Sequence, residues 1–424
     1  MFQEYNKFFI LKNIMLKMKI YKIGAKSVFD SRKQRTIQVI VKTEKGTFTC
    51  SAPAGKSTGE HEVKSYFKSL EEDIDFINEI DVESINERLE KNKKIESCDQ
   101  AFIFLGFIEK LTNNKVGGNS LFAFEASLLK AIAKENGKEL YDFLLDSKKE
   151  VKFPRPVGNT IGGGLHSKGR DGKRPDFQEF LFIAKGKTFK ESFEINNRAY
   201  SLAGKLLGYW LKTKNDEGAY ETGLSNEEVL DIMKNVSEGI KKYYNQEVDI
   251  GLDVASSSFY KDGFYEYKNF HKELDKNSEI KYINKLIKKY DLLYVEDPLN
   301  ENDFSAFSEL MFDTKNQHCL IVGDDLTTTD PERLSKAIRL KSINGIIVKP
   351  NQIGSLIKVK QVIEIAKKNN IKTIISHRSG ETMDNTIADL AVGFQCDFIK
   401  TGIYGKVRRA KLKRLLKIEK MMKG

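Results

Sequence analysis

Ionisable residues recur at the ends of apolar, strand-like segments between Val248 and Lys400. The segments, each with the residues that end it, are VDIGLD (Asp253), LLYVED (Glu296), LIVGDD (Asp324), GIIVK (Lys349), TIISHRS (His377, Arg378 and Ser379) and DFIK (Lys400). A helix-like segment separates each from the next, so the spacing is that of a repeated strand–helix unit. This pattern predicts a parallel barrel, which places its chemistry at the carboxyl ends of its strands.

We predict an α/β chain with a C-terminal modified (β/α)8 TIM-like barrel and an N-terminal α+β capping domain. Eight strand-like segments follow Pro154, and the first two are consecutive, without an intervening helix. Upstream, the alternation of apolar and polar residues from Lys19 to Thr49 predicts an antiparallel meander with a turn at Glu44–Gly46. We expect three parts: an N-terminal extension (1–18), the capping domain with its meander and helices (19–152) and the barrel domain (153–424).

Helical periodicity also appears outside the repeated unit. Leu121–Gly137 in the capping domain is predicted to be an amphipathic helix that ends at its glycine. Two further helices are predicted between the second and third barrel strands, at about Phe189–Lys212 and Asn226–Tyr244. The segment TKNDEGAYETG between them is expected to be a loop.

The net charge of +11 raises the question of a nucleic-acid partner. Lysine is spread along the whole chain, so we interpret the charge as a solvated surface and expect no nucleic-acid partner. The densest basic run, Lys406 to Lys417, contains an apolar helical face formed by Val407, Ala410, Leu415 and Leu416. We interpret it as a packed terminal helix with a basic exterior, and an RNA-binding patch is the weaker alternative.

Composition also bears on location. Four scattered cysteines without a CxxC pair favour a reducing cytoplasm over a disulfide-bonded protein. No stretch approaches about 18 uninterrupted apolar residues, so we expect no membrane span. In residues 1–17, Lys7, Lys12 and Lys17 interrupt every apolar run, so a signal peptide is not expected. Met18 is a plausible natural start, which makes the segment an extension or a misassigned start.

Three carboxylates, Asp253, Glu296 and Asp324, end three successive predicted strands. If they converge without compensation, they repel one another and raise one another's pKa values. A hard divalent cation removes this repulsion, and ligands that are all oxygen favour Mg²⁺ or Mn²⁺ over zinc. The alternative is that these acids cap helices or pair with lysines; three in consecutive units favour the metal site.

Lys349 and Lys400 end two later strands of the same predicted barrel. A lysine beside a metal ion and a second cation has a lowered pKa and can act as a base. The alternative is that both are ordinary surface lysines. His377, Arg378 and Ser379 place an imidazole, a bidentate donor and a hydroxyl at one strand end, a combination suited to gripping phosphate or carboxylate.

The segment SAPAGKSTG, Ser51 to Gly59, has two interpretations. Its GKST ending is similar to that of a phosphate-binding P-loop, but the first glycine of that motif falls at Cys50 and no clear helix follows Ser57. We favour a mobile lid of small residues over a nucleotide-binding loop.

At this point the residues show a resemblance to the enolase family, whose members are phosphopyruvate hydratases. The similar segments occur in the family's order over roughly Tyr21 to Glu419. They are SVFDSR, APAGKSTG, GGGLH with DFQEF, NDEG, IGLDVASSSFYKDG, YVEDPL, IVGDDLTTT, VKPNQIG, SHRSGETMDNTIADLAVG and IKTG.

The resemblance implies a role for each matching residue. It implies Mg²⁺ bound by Asp253, Glu296 and Asp324, with Ser57 helping to hold a second Mg²⁺ when substrate binds. The implied general base is Lys349, supported by Lys400, and the implied acid is Glu217, assisted by Glu179. The implied substrate pocket contains His166, Glu179, His377, Arg378, Ser379 and Lys400, with Arg378 and Ser379 on the phosphate.

The implied reaction is the reversible dehydration of 2-phosphoglycerate to phosphoenolpyruvate in glycolysis and gluconeogenesis. Lys349 removes the proton alpha to the carboxylate, and Glu217 protonates the departing hydroxyl. We therefore expect the pKa of the lysine to be lowered and that of the glutamate to be raised. A homodimer or larger homo-oligomer is also implied.

The chain departs from the family pattern at several positions. Lys33-Gln34-Arg35 stands where Gly-Asn-Pro is usual, Lys56 where the lid has alanine, and Gly162 where an asparagine is expected. The altered Lys33–Arg35 and Lys56 leave open an enolase-like binding protein with weakened catalysis. A second alternative is a related acid dehydratase acting on a different carboxylate; Glu217, the phosphate grip and Ser57 argue against it, because a non-phosphorylated substrate would not need them.

Overall fold

The structure is a computed structural model, and it describes residues 18–55, 59–91, 95–145, 150–169, 172–269 and 271–423. The predictions made for residues 1–17, for Lys56 and for Ser57 lie outside these ranges.

The first elements of the described residues form a three-stranded antiparallel sheet of β1 (Ile20–Phe29), β2 (Arg35–Thr43) and β3 (Gly46–Ser51), in that order. Ile37, Val39 and Val41 of β2 are buried, which is the period-two burial that the sequence alternation predicts. The predicted meander, with its turn at Glu44–Gly46, is therefore confirmed.

In the described residues that follow the sheet, the first helices are α1 (Leu70–Asn78), α2 (Val82–Lys91), α3 (Cys98–Thr112), α4 (Gly118–Glu135) and α5 (Leu140–Leu144). The prediction of an amphipathic helix over Leu121–Gly137 is wrong in its pattern, because α4 is buried on nearly all sides as far as Ala133. The reason is that α4 packs on β2 and β3 on one side and, on the other, on the barrel segment Pro350–Ile353. A helix enclosed between two layers loses its polar face.

The remaining described strands and helices follow in chain order. They are β4 (Arg155–Gly162), β5 (Glu179–Lys185), α6 (Phe189–Leu207), β6 (Leu211–Lys214), β7 (Tyr220–Thr222), α7 (Asn226–Tyr244), β8 (Glu247–Asp253), β9 (Tyr260–Lys261), β10 (Phe264–Tyr267), β11 (Lys272–Leu274), α8 (Lys276–Tyr290), β12 (Tyr294–Glu296), α9 (Phe304–Asp313), β13 (Leu320–Gly323), α10 (Pro331–Leu340), β14 (Gly345–Val348), α11 (Pro350–Ile353), α12 (Leu356–Lys368), β15 (Lys372–Ser376), α13 (Thr386–Gly393), β16 (Phe398–Lys400) and α14 (Lys406–Lys423).

Eight of these strands form a closed barrel in the order β4–β5–β8–β12–β13–β14–β15–β16, and β16 pairs with β4 to close it. This confirms the predicted barrel with two consecutive opening strands. Strand β5 is antiparallel to both of its neighbours, whereas the other pairs around the barrel are parallel. Because of this reversal, the first residue of β5, Glu179, pairs with the last residue of β8, Asp253.

The segment between α6 and α7 differs from its prediction. Helix α6 ends at Leu207 rather than near Lys212, because Gly208 has a φ of +45° that does not continue a helix. The expected loop is largely an antiparallel hairpin, β6 and β7, and β7 pairs in parallel with β4 through Ile161 and Tyr220. The NDEG sequence is therefore anchored to the barrel edge.

The terminal helix α14 packs on the barrel as predicted, but its buried face is different. Leu415 is buried as expected, whereas Val407, Ala410 and Leu416 are only half-buried. Arg408 and Lys411 of the basic run are buried instead, because their side chains donate hydrogen bonds to the backbone carbonyl oxygens of Arg378, Ser379 and Thr382. Such bonds satisfy the desolvated cations.

Among the described residues, no helix has both the length and the apolar character that crossing a bilayer requires.

The corrected face of α14 can be tested with two substitutions of the same kind. Leu415→Ala should lower the free energy of unfolding by about 2–5 kcal/mol, because it opens a cavity in a closed core. Leu416→Ala, at a half-buried site, should cost clearly less. Denaturant titration of the two variants measures the difference, and equal destabilisation would contradict the assigned face.

Candidate active site

Three buried carboxylates lie at adjacent strand ends of the barrel. Asp253 ends β8, Glu296 ends β12, and Asp324 directly follows β13; they are 4%, 0% and 7% exposed. Asp253 and Glu296 are direct partners in the sheet register. The barrel topology therefore brings together residues that are far apart in sequence, at the edge where the sequence predicts the chemistry.

Lys400 lies among these carboxylates. Its Nζ is 2.7 Å from Oδ2 of Asp253, 2.8 Å from Oε2 of Glu296 and 3.2 Å from Oε2 of Glu179. All four side chains are at most 6% exposed, so water screens these charges poorly. Burial, together with Asp253, raises the pKa of Glu296, whereas the surrounding carboxylates raise the pKa of Lys400.

Lys349 pairs with Asp324 rather than with the other two carboxylates. Burial by itself lowers the pKa of Lys349, but the Asp324 carboxylate outweighs burial and the pKa lies above its ordinary value. The expectation of a lowered pKa is therefore wrong for the site as it stands. The physical reason is that the Asp324 carboxylate, in direct contact with the lysine, outweighs the opposing charge of the neighbouring Arg378.

The three expected metal ligands do not form one compact group here. Two other groups have ligand atoms within 4.8 Å of one another among the described residues: His166 with Glu179 and Glu217, and Asp297 with Asp324 and Asp325. Lys400 forms ion pairs with Asp253 and Glu296, and Lys349 forms an ion pair with Asp324. Two ammonium groups thus occupy the positions at which the carboxylates need positive charge.

The donor set nevertheless fits a hard divalent cation. Asp253, Glu296 and Asp324 offer only oxygen ligands, and all three are buried. Asp253 and Asp324 line one cavity, and Glu296 contacts Lys400, which lines the same cavity. Burying three carboxylates is costly unless cations compensate them. The lysines provide that compensation in this structure, and a bound divalent ion would provide it in their place.

Glu217 lies opposite the carboxylates, in the turn between β6 and β7. Its Oε1 is 3.6 Å from Nδ1 of His166, its Oε2 is 3.9 Å from Nε2 of His377, and Asn159 donates a hydrogen bond to Oε2 at 3.3 Å. His166 also approaches Glu179, at 3.5 Å. The two glutamates thus share one imidazole.

The pKa of Glu217 is shifted in the direction opposite to the expectation. Burial by itself raises the pKa of Glu217, but the charges of His166 and Arg408 outweigh burial and hold it well below its ordinary value. Burial raises the pKa of Glu179, and the nearby Glu217 carboxylate adds to the rise although Lys400 opposes it. Glu179 is therefore the member of the pair that retains a proton more readily, and the expectation for Glu217 is wrong for the site as it stands.

Arg408 of α14 orients the end of strand β15. It donates to Nδ1 of His377 at 2.6 Å and to the backbone oxygens of Arg378 and Ser379 at 2.6 Å. Since a guanidinium only donates, Nδ1 of His377 accepts, and the ring proton lies on Nε2, the atom that faces Glu217. Burial and the charge of Arg408 lower the pKa of His377, which keeps the ring neutral.

Residues of the N-terminal part of the chain contact the predicted anion grip, that is, the phosphate- or carboxylate-binding residues His377, Arg378 and Ser379. Arg378 forms an ion pair with Glu62 at 2.9 Å, and Arg32 donates to the Ser379 hydroxyl at 3.1 Å. Ala54 forms a backbone bridge with Gly380. The lid segment thus adjoins the grip; Ser57 itself lies outside the described residues. No helix begins in residues 59–69, which counts against the P-loop alternative.

One cavity brings most of the predicted site residues together. Its lining includes His166, Glu179, Glu217, Asp253, Asp324, Lys349, His377, Arg378, Ser379 and Lys400. Glu296 is adjacent through its contact with Lys400. Three nearby residues escaped the sequence analysis: Arg408, Asn159 and Gln178, whose amide lies 3.4 Å from Asp253. For Asn159, the available clue was a polar amide within an apolar strand.

Fold and site together define a class of protein: a barrel enzyme that performs acid–base chemistry at a buried carboxylate cluster suited to a divalent cation. Family models give the same answer. "Enolase, C-terminal TIM barrel domain" matches residues 150–423, and "Enolase, N-terminal domain" matches residues 20–144.

Curated relatives extend along nearly the whole chain. The enolase of Picrophilus torridus is 37% identical over 401 residues, covering 93% of this chain and 96% of the relative. The enolase of Thermoplasma acidophilum is 35% identical over 421 residues, covering 96% and 100%. The enolase of Methanosphaera stadtmanae is 37% identical over 407 residues, covering 94% and 96%.

This chain belongs to the enolase family. The expectation of an enolase enzyme, a phosphopyruvate hydratase, is thereby confirmed, and the family implies a divalent metal cofactor.

Competition between Lys400 and a cation for the same carboxylates can be tested by stability. Lys400→Met should lower the thermal midpoint in chelator, because removing one partner of a buried ion pair costs about 3–5 kcal/mol. Added Mg²⁺ should then raise the midpoint more than in the unmodified protein, since a competing ammonium is gone.

Lys372→Met is the matched control, because Lys372 is an exposed lysine at the opposite end of a barrel strand, paired with Asp397. Thermal scans with and without Mg²⁺ measure both effects. An equal response to Mg²⁺ in Lys400→Met and the unmodified protein would contradict the assigned competition.

Proposed function

We propose that this enolase performs the reversible dehydration of 2-phosphoglycerate to phosphoenolpyruvate with Lys349 as base and Glu217, paired with Glu179, as acid. One observation supports the assignment above all others. Two lysines, the strand-end carboxylates Asp253 and Asp324 and a glutamate pair from outside the regular repeat all face a single cavity, and Glu296 contacts Lys400 beside it. Base and acid thus stand on different elements around one space, which an elimination requires.

The cofactor we propose is Mg²⁺, with Asp253, Glu296 and Asp324 as ligands and Ser57 helping to hold a second ion when substrate is present. When bound, the metal supplies positive charge that stabilises the negative charge developing on the substrate carboxylate. All proposed barrel ligands are carboxylates at adjacent strand ends, which is the oxygen-rich environment that Mg²⁺ prefers.

The base assignment rests on the position of Lys349 and its partner. Lys349 directly follows β14 and lines the cavity, with its ammonium on Asp324. A bound divalent ion that took Asp324 as a ligand would weaken the interaction that favours the charged form of the lysine. The neighbouring Arg378 charge already opposes that form, and its effect on the pKa of Lys349 would then be larger. Lys349 lines the cavity in a position to accept the proton alpha to the carboxylate.

The acid assignment rests on the glutamate pair. Two buried carboxyls that share His166 titrate as a unit, so a proton that Glu179 retains can pass to Glu217. Glu217 delivers it to the departing hydroxyl, which leaves as water. Glu179 and neutral His377 lie next to Glu217 and limit the groups to which that proton can transfer.

Substrate binding is proposed for the part of the cavity lined by Arg378 and Ser379. Arg378 and Ser379 offer a planar guanidinium and a hydroxyl to the phosphate. Glu62 occupies the guanidinium in this structure, so phosphate binding exchanges one anion for another. Lys400, His166 and His377 complete the pocket. A homo-oligomer and a cytoplasmic location remain proposals that rest on the family resemblance and on the scattered cysteines.

The activity itself is tested by following enol absorbance with purified protein and 2-phosphoglycerate, in Mg²⁺ and in chelator. Product should form only with Mg²⁺. Lys349→Ala should reduce turnover by about 10²–10⁴-fold or more, the contribution of a positioned base, with an unchanged circular dichroism spectrum. Lys372→Ala serves as the control. Absence of Mg²⁺-dependent product in the unmodified protein would favour an enolase-like binding protein instead.

The acid is tested separately with Glu217→Gln, which keeps the size of the side chain and removes its proton chemistry. Turnover should fall by about 10²–10⁴-fold. Exchange of the alpha proton of 2-phosphoglycerate with deuterated solvent should continue, because Lys349 is untouched. Nuclear magnetic resonance of the substrate measures that exchange; loss of exchange together with turnover would argue that Glu217 is not the separate acid.

A further inference from the structure

Glu217 is held in a tight turn that joins β6 to β7. The backbone N–H of Asn215 donates to Ala219 O at 2.9 Å, and the N–H of Gly218 donates to Asn215 O at 3.0 Å. Gly218 has a φ of +83°, a conformation that favours glycine. The Glu217 carboxyl is buried although it belongs to a surface hairpin, so its position depends on how this turn is fixed.

The side chain of Asn215 fixes the turn from within. Its Oδ1 accepts hydrogen bonds from the backbone N–H groups of Glu217, at 3.0 Å, and Ala219, at 2.9 Å. One amide oxygen therefore ties down the backbone on both sides of the glutamate. Asn and Asp form such side-chain turns because their short polar chains reach the backbone two residues on.

The barrel leaves room for this asparagine at Gly162. A Cβ on Gly162 would lie 2.5 Å from Nδ2 of Asn215, closer than non-bonded atoms approach. The asparagine that the family resemblance leads us to expect at position 162 is absent, and the amide in this space comes from the hairpin instead. Gly162 and Asn215 are thus sterically matched across β4 and the turn.

A tyrosine stack closes the outer side of the turn. The Tyr200 hydroxyl donates to Gly218 O at 2.6 Å. The ring of Tyr404 lies parallel to that of Tyr200, with centroids 5.9 Å apart, and packs on Gly218. The ammonium of Lys214 sits 3.4 Å from the Tyr404 ring centroid, a cation–π contact that holds the outermost ring.

We infer that Asn215, seated against Gly162 and backed by Tyr200 and Tyr404, is a positioning residue that sets the location of Glu217. The inference rests on the proposed acid role of Glu217. Asn215 contacts the backbone of the turn and acts on the reaction through Glu217. It therefore affects the protonation of the leaving hydroxyl and leaves proton abstraction by Lys349 unchanged.

Asn215→Ala tests this with a readout that a merely structural role would not move. Turnover should fall by about 10²-fold, the cost of a small misplacement of a catalytic group. KM should change little, because Asn215 bonds to the backbone of the turn, whereas Arg378 and Ser379 follow strand β15. Exchange of the alpha proton with deuterated solvent should stay near the rate of the unmodified protein, so the ratio of exchange to dehydration rises.

The variant Gly162→Ala and the double variant Gly162→Ala/Asn215→Ala test the steric match between positions 162 and 215. Gly162→Ala should lower turnover as Asn215→Ala does, because the new methyl group displaces the asparagine and breaks the same two hydrogen bonds. The double variant should be no slower than either single variant. Tyr243→Ala, a change at a 73% exposed tyrosine on α7, is the control.

The possible results separate this inference from the proposed function. Wild-type-like turnover of Asn215→Ala, an unchanged ratio of exchange to dehydration, or multiplied effects in the double variant would each overturn the positioning role while the unmodified enzyme stays active. An inactive unmodified protein would overturn the proposed function itself. A raised ratio with a non-additive double variant supports the inference.

Discussion

The structure depends on how a barrel tolerates a cluster of buried carboxylates. Asp253, Glu296 and Glu179 surround the single ammonium of Lys400, and Asp324 is held by Lys349. Four buried carboxyl groups share two ammonium groups, so full ionisation of the cluster would leave a deficit of positive charge. Burial raises the pKa of Glu296 and of Glu179 in response. The carboxylates in turn raise the pKa of both lysines, which serve as their counter-ions in this structure.

The reversal of β5 gives the site its second half. A regular barrel would begin its second strand at the opposite end, away from the carboxyl edge. Because β5 is antiparallel, Glu179 starts where β8 ends. The β6–β7 hairpin, attached to β4, brings Glu217 to the same edge. The proposed acid pair therefore comes from the irregular opening of the barrel, whereas the proposed metal ligands and the two lysines come from its regular part.

Much of this arrangement was predictable from the sequence, because ionisable residues recur at the ends of the apolar strands. The carboxylates, both lysines and the His377–Ser379 end follow apolar strands, so period and polarity suffice to place them. Glu179 and Glu217 were placed only through resemblance to a family. Arg408 was interpreted as part of a basic exterior, and it is buried because the carbonyls of the His377–Ser379 strand end bind it. Local periodicity carries no information about such distant acceptors. The boundaries at residues 18 and 152 stay predictions.

The sequence by itself determined the barrel, the edge that holds the chemistry and the charged residues that line it, because these follow from strand periodicity and residue type. The tertiary structure decided which charges meet. Lys349 pairs with Asp324, and Glu217 is surrounded by His166 and Arg408, so the pKa shifts oppose the expectation from residue type. The physical reason is that electrostatic energy depends on distance and burial. Only the folded chain sets these quantities.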